Sequence, residues 1–296
     1  MIASLKRALD SDLWYSFKRH PLVICAAVLS LICLLGAALA PLLAPHNPFD
    51  LKTLNLLDAF TPPAWTEAGK AQFFLGTDDQ GRDVLSTIMY GSRVSLTVGI
   101  CAVALSMVIG ITLGLISGYV GGAVDAFIMR VADIQLSFPP ILIALILLAL
   151  TGQGVGKIII ALVAVQWAYY ARTARSAALV ERKKEYIEAA TCLGLSPARI
   201  IFRHLLPNCL PPLIVIAALQ VASAISLEAT LSFLGLGLPV TEPSLGLLIA
   251  NGFQYLLSGK YWISFFPGIA LLATVVAINL VADQLRDVLN PRLQTQ

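Results

Sequence analysis

Long apolar runs alternate with short polar breaks along the chain. The first run is LVICAAVLSLICLLGAALAPLL, near residues 22–43; others cover about 94–118, 124–150, 156–172, 209–231 and 263–283. Each is continuous, and each is close to the length at which a helix crosses a ~30 Å hydrocarbon core. Strands of a membrane barrel alternate apolar and polar positions instead. The pattern therefore predicts an all-α, polytopic membrane bundle with six transmembrane helices. Pro139 and Pro140 interrupt the third run. Such a break is tolerated where neighbouring helices or a cavity re-satisfy the freed backbone groups. Residues 44–92 are rich in Pro, Asp, Thr and Gly and read as an extramembrane loop, as do residues 237–262.

The break between the fourth and fifth runs is of another kind. In EYIEAATCLGLSPARIIFRHLLPN, residues 185–208, Tyr186, Ala189, Ala190 and Leu193 recur at the spacing of one helix face. Gly194 suits the left-handed position that ends a helix. Ser196 suits an N-cap and Pro197 the first helical position. A second short helix would carry Ile200, Ile201, Leu205 and Leu206, with Pro207 before the next span. Helix, glycine turn, helix also describes a DNA-binding motif. Here both ends are anchored in membrane spans and too little chain lies between them for a three-helix domain, so no nucleic-acid partner is expected. The segment reads as a docking element tied to spans four and five.

Composition agrees with a lipid-embedded chain: 58% of the 296 residues are hydrophobic and 12% charged, against about 25% charged in ordinary soluble domains. The bases are unevenly placed. Lys6, Arg7, Lys18 and Arg19 precede the first run, Arg172, Arg175, Arg182, Lys183, Lys184, Arg199 and Arg203 cluster around the polar segment, and Arg286 and Arg292 lie near the carboxyl end. Short breaks on the opposite face carry only Lys157 and Lys260. The positive-inside rule then predicts both termini and the polar segment in the cytoplasm. The first run exceeds the 7–15 apolar residues of a signal peptide and twenty residues precede it, so it reads as an uncleaved anchor. Cys25, Cys33, Cys101, Cys192 and Cys209 show no CxxC spacing and read as small hydrophobes.

The EAA of Glu188, Ala189 and Ala190, then Gly194 after three residues, then Leu206-Pro207, resembles the EAA motif of ABC importer permeases. His204 stands where that motif has isoleucine. FLGTDDQGRDVLSTIMYGSRVSL (74–96), SFLGLGLP (232–239), DQLRDVLNPRL (283–293) and SDLWYSFKRHP (11–21) resemble the dipeptide/oligopeptide/nickel permease family, in its second, C-type subunit. A tryptophan-glycine pair of that family is Leu245-Gly246 here. The resemblance implies a type I ABC importer permease-like fold in the bacterial inner membrane. It implies a heterodimer with a homologous permease, two cytoplasmic ATPases docked on Glu188, Ala189, Ala190, Gly194, His204, Leu206 and Pro207, and a periplasmic solute-binding protein. Its organisation would be a cytoplasmic segment 1–20, a first helix 21–43, a periplasmic loop 44–92, a core 93–284 containing the coupling segment 183–207, and a cytoplasmic tail 285–296. The solute class implied is di- or oligopeptides or a related small solute.

No catalytic, cofactor or metal site is expected in the chain, ATP and Mg being bound by partner subunits. TGQGVGK (151–157) lacks the first glycine of a P-loop and the Ser or Thr after its lysine. His20, His46 and His204 sit with no plausible nucleophile, which argues against a membrane enzyme. A free-standing secondary transporter would show internal repeats of a size not seen. Ionisable groups at membrane depth mark a bundle interior or a wet path. Glu228, Gln166, Arg130 and Asp133 are therefore candidates for a translocation path or gate, with Arg130 and Asp133 one turn apart and able to pair. Asp78, Asp79, Arg82, Asp83 and Arg93 read as a capped, salt-bridged turn before a helix starting near residue 82, with metal ligation or a touch on the binding protein as alternatives.

Overall fold

The computed structural model describes residues 21–50, 54–239 and 242–289. The amino-terminal segment 1–20, including its basic cluster and the motif at 11–21, and most of the tail 285–296 lie outside the described residues. Among the described residues the chain is helical with no named strand.

The elements are α1 (Pro21–Ala38), α2 (Val84–Val120), α3 (Gly122–Ser137), α4 (Pro140–Thr151), α5 (Val155–Glu181), α6 (Glu185–Cys192), α7 (Leu206–Phe233), α8 (Leu245–Phe253) and α9 (Trp262–Leu289). Among the described residues, four helical stretches are long and apolar enough to cross a membrane: α1, α2, the run from Pro197 to Phe233, and α9. The bent pair α3–α4, taken as one span, makes five. The fourth predicted span falls on α5. It is 27 residues long, but its apolar stretch ends where Arg172 and Arg175 begin.

Several boundaries differ from those predicted. α2 begins at Val84, ten residues before the apolar run, because the Asp83 carboxylate caps it by accepting from Ser86 N–H at 2.9 Å. The loop predicted at 44–92 is therefore helical from Val84 onward. The third span is not straight: α3 and α4 meet at 92°. Phe138 is extended there (φ −94°, ψ 144°), as a residue before proline should be. The second short helix of the polar segment does not stand alone. A turn at Pro197–Arg199 runs through a π-helical stretch, Ile200–Leu205, directly into α7. The region 237–262 contains α8, clamped between α7 and α9: a Cβ at Gly246 would collide with the Ala229 carbonyl, and one at Gly252 would lie 2.5 Å from Ser264 N.

The core is organised around α2 and α5. Gly110, Gly114 and Gly118 recur every fourth residue along α2 and face Ala171, Ala174 and Ala178 of α5, all 0% exposed. A Cβ at Gly118 would lie 2.7 Å from the Ala178 Cβ, and one at Gly114 would overlap the Ala171 carbonyl oxygen. Small residues at this spacing let membrane helices approach to backbone contact, where van der Waals attraction rather than hydrophobicity holds them.

Residues 54–83 fold over one end of the bundle, here termed the loop face. Trp262 Nε1–H donates to the Thr77 carbonyl at 3.0 Å, and Trp65 packs edge-on against Phe74 and Phe266. Lys260 lies over the Phe60 ring, 3.3 Å from its centroid. As the turn reading expected, Asp78 accepts from Gln80 N–H and Arg82 N–H at 2.9 Å and from Arg82 Nε–H at 2.6 Å. Burial, and then the Asp78 charge, push the Asp79 carboxyl above its ordinary range. No acid cluster suited to a metal is found among the described residues.

Candidate functional site

The polar segment lies at the opposite end of the bundle. α6 presents Glu185 and Glu188 in its first turn, where the helix dipole favours carboxylates. Its buried side differs from the predicted one. Of Tyr186, Ala189, Ala190 and Leu193 only Ala190 is buried; Tyr186 is 37% exposed and Leu193 79%. Ile187 and Ala190 face inward instead, in one cluster with Ile200, Ile201 and Leu205. The reason is visible at Tyr186. Its hydroxyl donates to Glu181 at 2.8 Å, which suits an orientation with Tyr186 at the surface and Ile187 in the core. Glu188, Ala189 and Leu193 are left on the exposed side.

Gly194 ends α6 with φ +71° and nothing within 4 Å of the place a Cβ would take. The requirement for glycine is therefore conformational, not steric. Leu195 N–H reaches back to the Ala190 carbonyl at 3.2 Å and Gly194 N–H to Thr191 at 3.0 Å, closing the helix end. Pro197 takes the first helical position as expected, but the Ser196 side chain makes no capping bond. His204 and Leu206 are half-buried and Pro207 is exposed. Asn208 Nδ2–H donates to the His204 carbonyl at 2.7 Å, in the stretch where Pro207 supplies no N–H.

The candidates at membrane depth are scattered rather than gathered. Glu228 is 0% exposed and bonded within the chain. Ser95 Oγ–H donates to Oε2 at 2.8 Å and Ser232 Oγ–H to Oε1 at 2.7 Å; Ser244 also hydrogen-bonds the carboxylate. Leu245 N–H in turn donates to Ser95 Oγ at 3.3 Å. The group is thus a knot joining α2, α7 and the start of α8. Gln166 is 2% exposed on α5, with Nε2 3.5 Å from the Gln220 carbonyl and Oε1 unpartnered.

Asp133 does not pair with Arg130. Its partner is Arg172 of α5, at 2.5 Å, because α3 and α5 run side by side and set the guanidinium opposite it. A second cross-helix pair was hidden in the sequence: Arg175 holds Asp125 through two bonds, 2.5 and 2.6 Å, and Ser117 of α2 also donates to Asp125. Spacing along the chain gives no sign of it, since the partners are fifty residues apart. TGQGVGK is the connector from α4 to α5, turned by Gly152 (φ 83°) and Gly154 (φ 140°), with no strand before it.

A bundle of membrane-length helices, cut by a short surface helix braced on the next span, is the arrangement expected of an importer permease. Comparison with known proteins agrees. The family described as binding-protein-dependent transport system inner membrane component matches residues 110–295, and the N-terminal TM domain of oligopeptide transport permease C matches residues 11–63. The chain is 44% identical over 283 residues to the dipeptide transport system permease protein DppC of Escherichia coli K12, covering 96% of this chain and 93% of that one. It is 38% identical over 283 residues to the di/tripeptide transport system permease protein DppC of Pseudomonas aeruginosa, covering 96% and 92%. Among solved structures, the inward-facing MetNI methionine ABC transporter shares the fold, with a TM-score of 0.55 at 20% identity over 69% of this chain and 96% of its own. The chain belongs to the binding-protein-dependent transport permeases, in the C-type peptide-permease branch. It is a multi-pass membrane permease subunit of an ABC importer, and hydrolysis of ATP falls to a separate subunit.

Proposed function

We propose that this subunit pairs with a homologous permease to carry di- or oligopeptides, delivered by a periplasmic binding protein, across the bacterial inner membrane. Two cytoplasmic ATPases, which bind the ATP and Mg, dock on the segment 183–207. The observation that carries this reading is the division of α6 into two sides. Glu188, Ala189 and Leu193 are exposed, while Ile187 and Ala190 are locked onto Ile200, Ile201 and Leu205. A surface built this way receives a partner and hands displacement to α7. Peptide as solute rests on the relatives in Escherichia coli and Pseudomonas aeruginosa, whose names state it.

Glu188→Ala and Gly194→Ala test the coupling role. The glycine variant strains the turn by about 1 kcal/mol, enough to re-aim α6 without unfolding the bundle. Both variants should reach the membrane and pair with the sister permease. Co-purified ATPase should fall severalfold, or hydrolysis in vesicles should continue without uptake. Wild-type assembly, hydrolysis and uptake in both would reduce the segment to a loop.

The path itself is proposed to run along the exposed edge of α3 and α5, where Arg130 lies beside the Asp133–Arg172 pair, whose side chains are 55% and 54% exposed. The pair lies where the apolar stretch of α5 ends, so this edge would form the inner mouth of the passage against the sister subunit.

With both termini in the cytoplasm, the loop face is periplasmic. Cysteines placed at 55–70 should then react with a membrane-impermeant thiol reagent in intact cells, and cysteines at 183–200 only after permeabilisation. The reverse pattern would invert the subunit.

A further inference from the structure

A cavity of about 410 Å³ opens on the loop face. Its size falls within the roughly 300–1,000 Å³ of small-molecule sites. Phe49, just after the first span, and Tyr90 of α2 form one wall, edge to face at 5.3 Å. Val94 of α2 and Val155, the first residue of α5, form an apolar floor, with Thr97 beside them. The remaining lining groups are Arg93 of α2 and Glu242, two residues before the start of α8. Neither belongs to an ion pair found among the described residues. One unneutralised cation and one unneutralised anion thus share a partly apolar pocket.

That combination suits a small zwitterion. A carboxylate takes the bidentate donors of Arg93. An ammonium takes Glu242, with the faces of Phe49 and Tyr90 close by to add cation–π attraction. Apart from the Thr97 and Tyr90 hydroxyls the remaining lining is apolar, which accepts side chains of varied shape. We infer that this cavity is an entry subsite for short peptides with free ends, holding the carboxylate on Arg93 and the amino group on Glu242. The inference deepens the peptide reading proposed above and rests on it for the solute class.

The test uses the assembled permease–ATPase complex in proteoliposomes, without binding protein, and carries Thr97→Cys as a reporter for a membrane-impermeant maleimide. Dialanine at millimolar concentration should slow labelling at least threefold, while N-acetyl-dialanine amide at the same concentration should not. Arg93→Gln or Glu242→Gln should weaken protection by about tenfold in concentration, the usual loss for one charge-assisted bond, and leave the unprotected labelling rate within twofold. A reporter that never reacts would show the cavity sealed in the complex and overturn the assignment. So would equal protection by both compounds, protection by neither, or protection that survives both substitutions. Uptake of dialanine by the full system with its binding protein is measured separately. Its absence, with protection intact, would remove the peptide-import reading and leave the subsite standing.

Discussion

Gly114→Leu should leave almost no folded subunit in the membrane. At this position a Cβ overlaps the Ala171 carbonyl oxygen and would lie 2.8 Å from the Ala174 Cβ. The obstruction is backbone and a methyl group, neither of which can swing aside. α2 and α5 must therefore separate, and the contacts of Leu115, Tyr170, Ala171 and Ala174, all 0% exposed, loosen together. Overpacking commonly costs ~1–3 kcal/mol where side chains can adjust, and an interface that must open along a whole helix exceeds that range. The steady-state amount of assembled complex should drop at least tenfold, read by immunoblot of the membrane fraction and by size exclusion in detergent. Gly156→Leu is the control, since that glycine is exposed with nothing within 4 Å. Equal amounts of the two variants would mean that the glycine row does not hold the bundle.

Glu228→Ala ranks second. It removes the shared acceptor of the Ser95, Ser232 and Ser244 hydroxyls and leaves a void in a site 0% exposed. Unsatisfied buried polar groups cost ~1–3 kcal/mol each, and with the cavity the loss should reach roughly 3–5 kcal/mol. Glu228→Gln keeps the volume and one acceptor oxygen, so about a third of that loss is expected. Thermal unfolding of the purified complex measures both. Limited proteolysis should locate the damage at 242–262, because α8 is fastened to α2 through this carboxylate and Ser95. Unchanged unfolding in the alanine variant would mean that the knot contributes nothing. Altered uptake in a glutamine variant of normal stability would return Glu228 to the solute path.

What could be read from sequence follows from what lipid demands. A span declares itself by length alone, so α1, α2, α7 and α9 stood out. The side that an apolar helix buries is far less visible, since lipid-facing and core-facing positions are equally greasy. On α6, a polar helix, the buried side lay one residue from the one predicted, Ile187 proving to be an anchor and Leu193 a surface group, because the Tyr186 hydroxyl bonds Glu181 at the surface. Helix ends followed local rules where those rules are strong: Asp83 capped α2, and Gly194 closed α6. The glycine row at 110, 114 and 118 was available at its spacing of four, and only the facing alanines show its use. The charges were the least legible part. Partner choice for Asp133 and Asp125 depends on which helices lie side by side, and α5 supplies both arginines.

The run from Pro197 to Phe233 is continuous for 37 residues, a rod of roughly 55 Å. One end is glued to α6 through Ile200, Ile201 and Leu205; near the other, Glu228 is tied to α2 and α8. Under the coupling proposed above, the contacts at the two ends would move with the rod rather than anchor it. Tilting by about 5° around its middle swings the two ends in opposite directions by roughly 2 Å each. Closure at one mouth and opening at the other would then be a single movement, with no separate messenger crossing the bilayer.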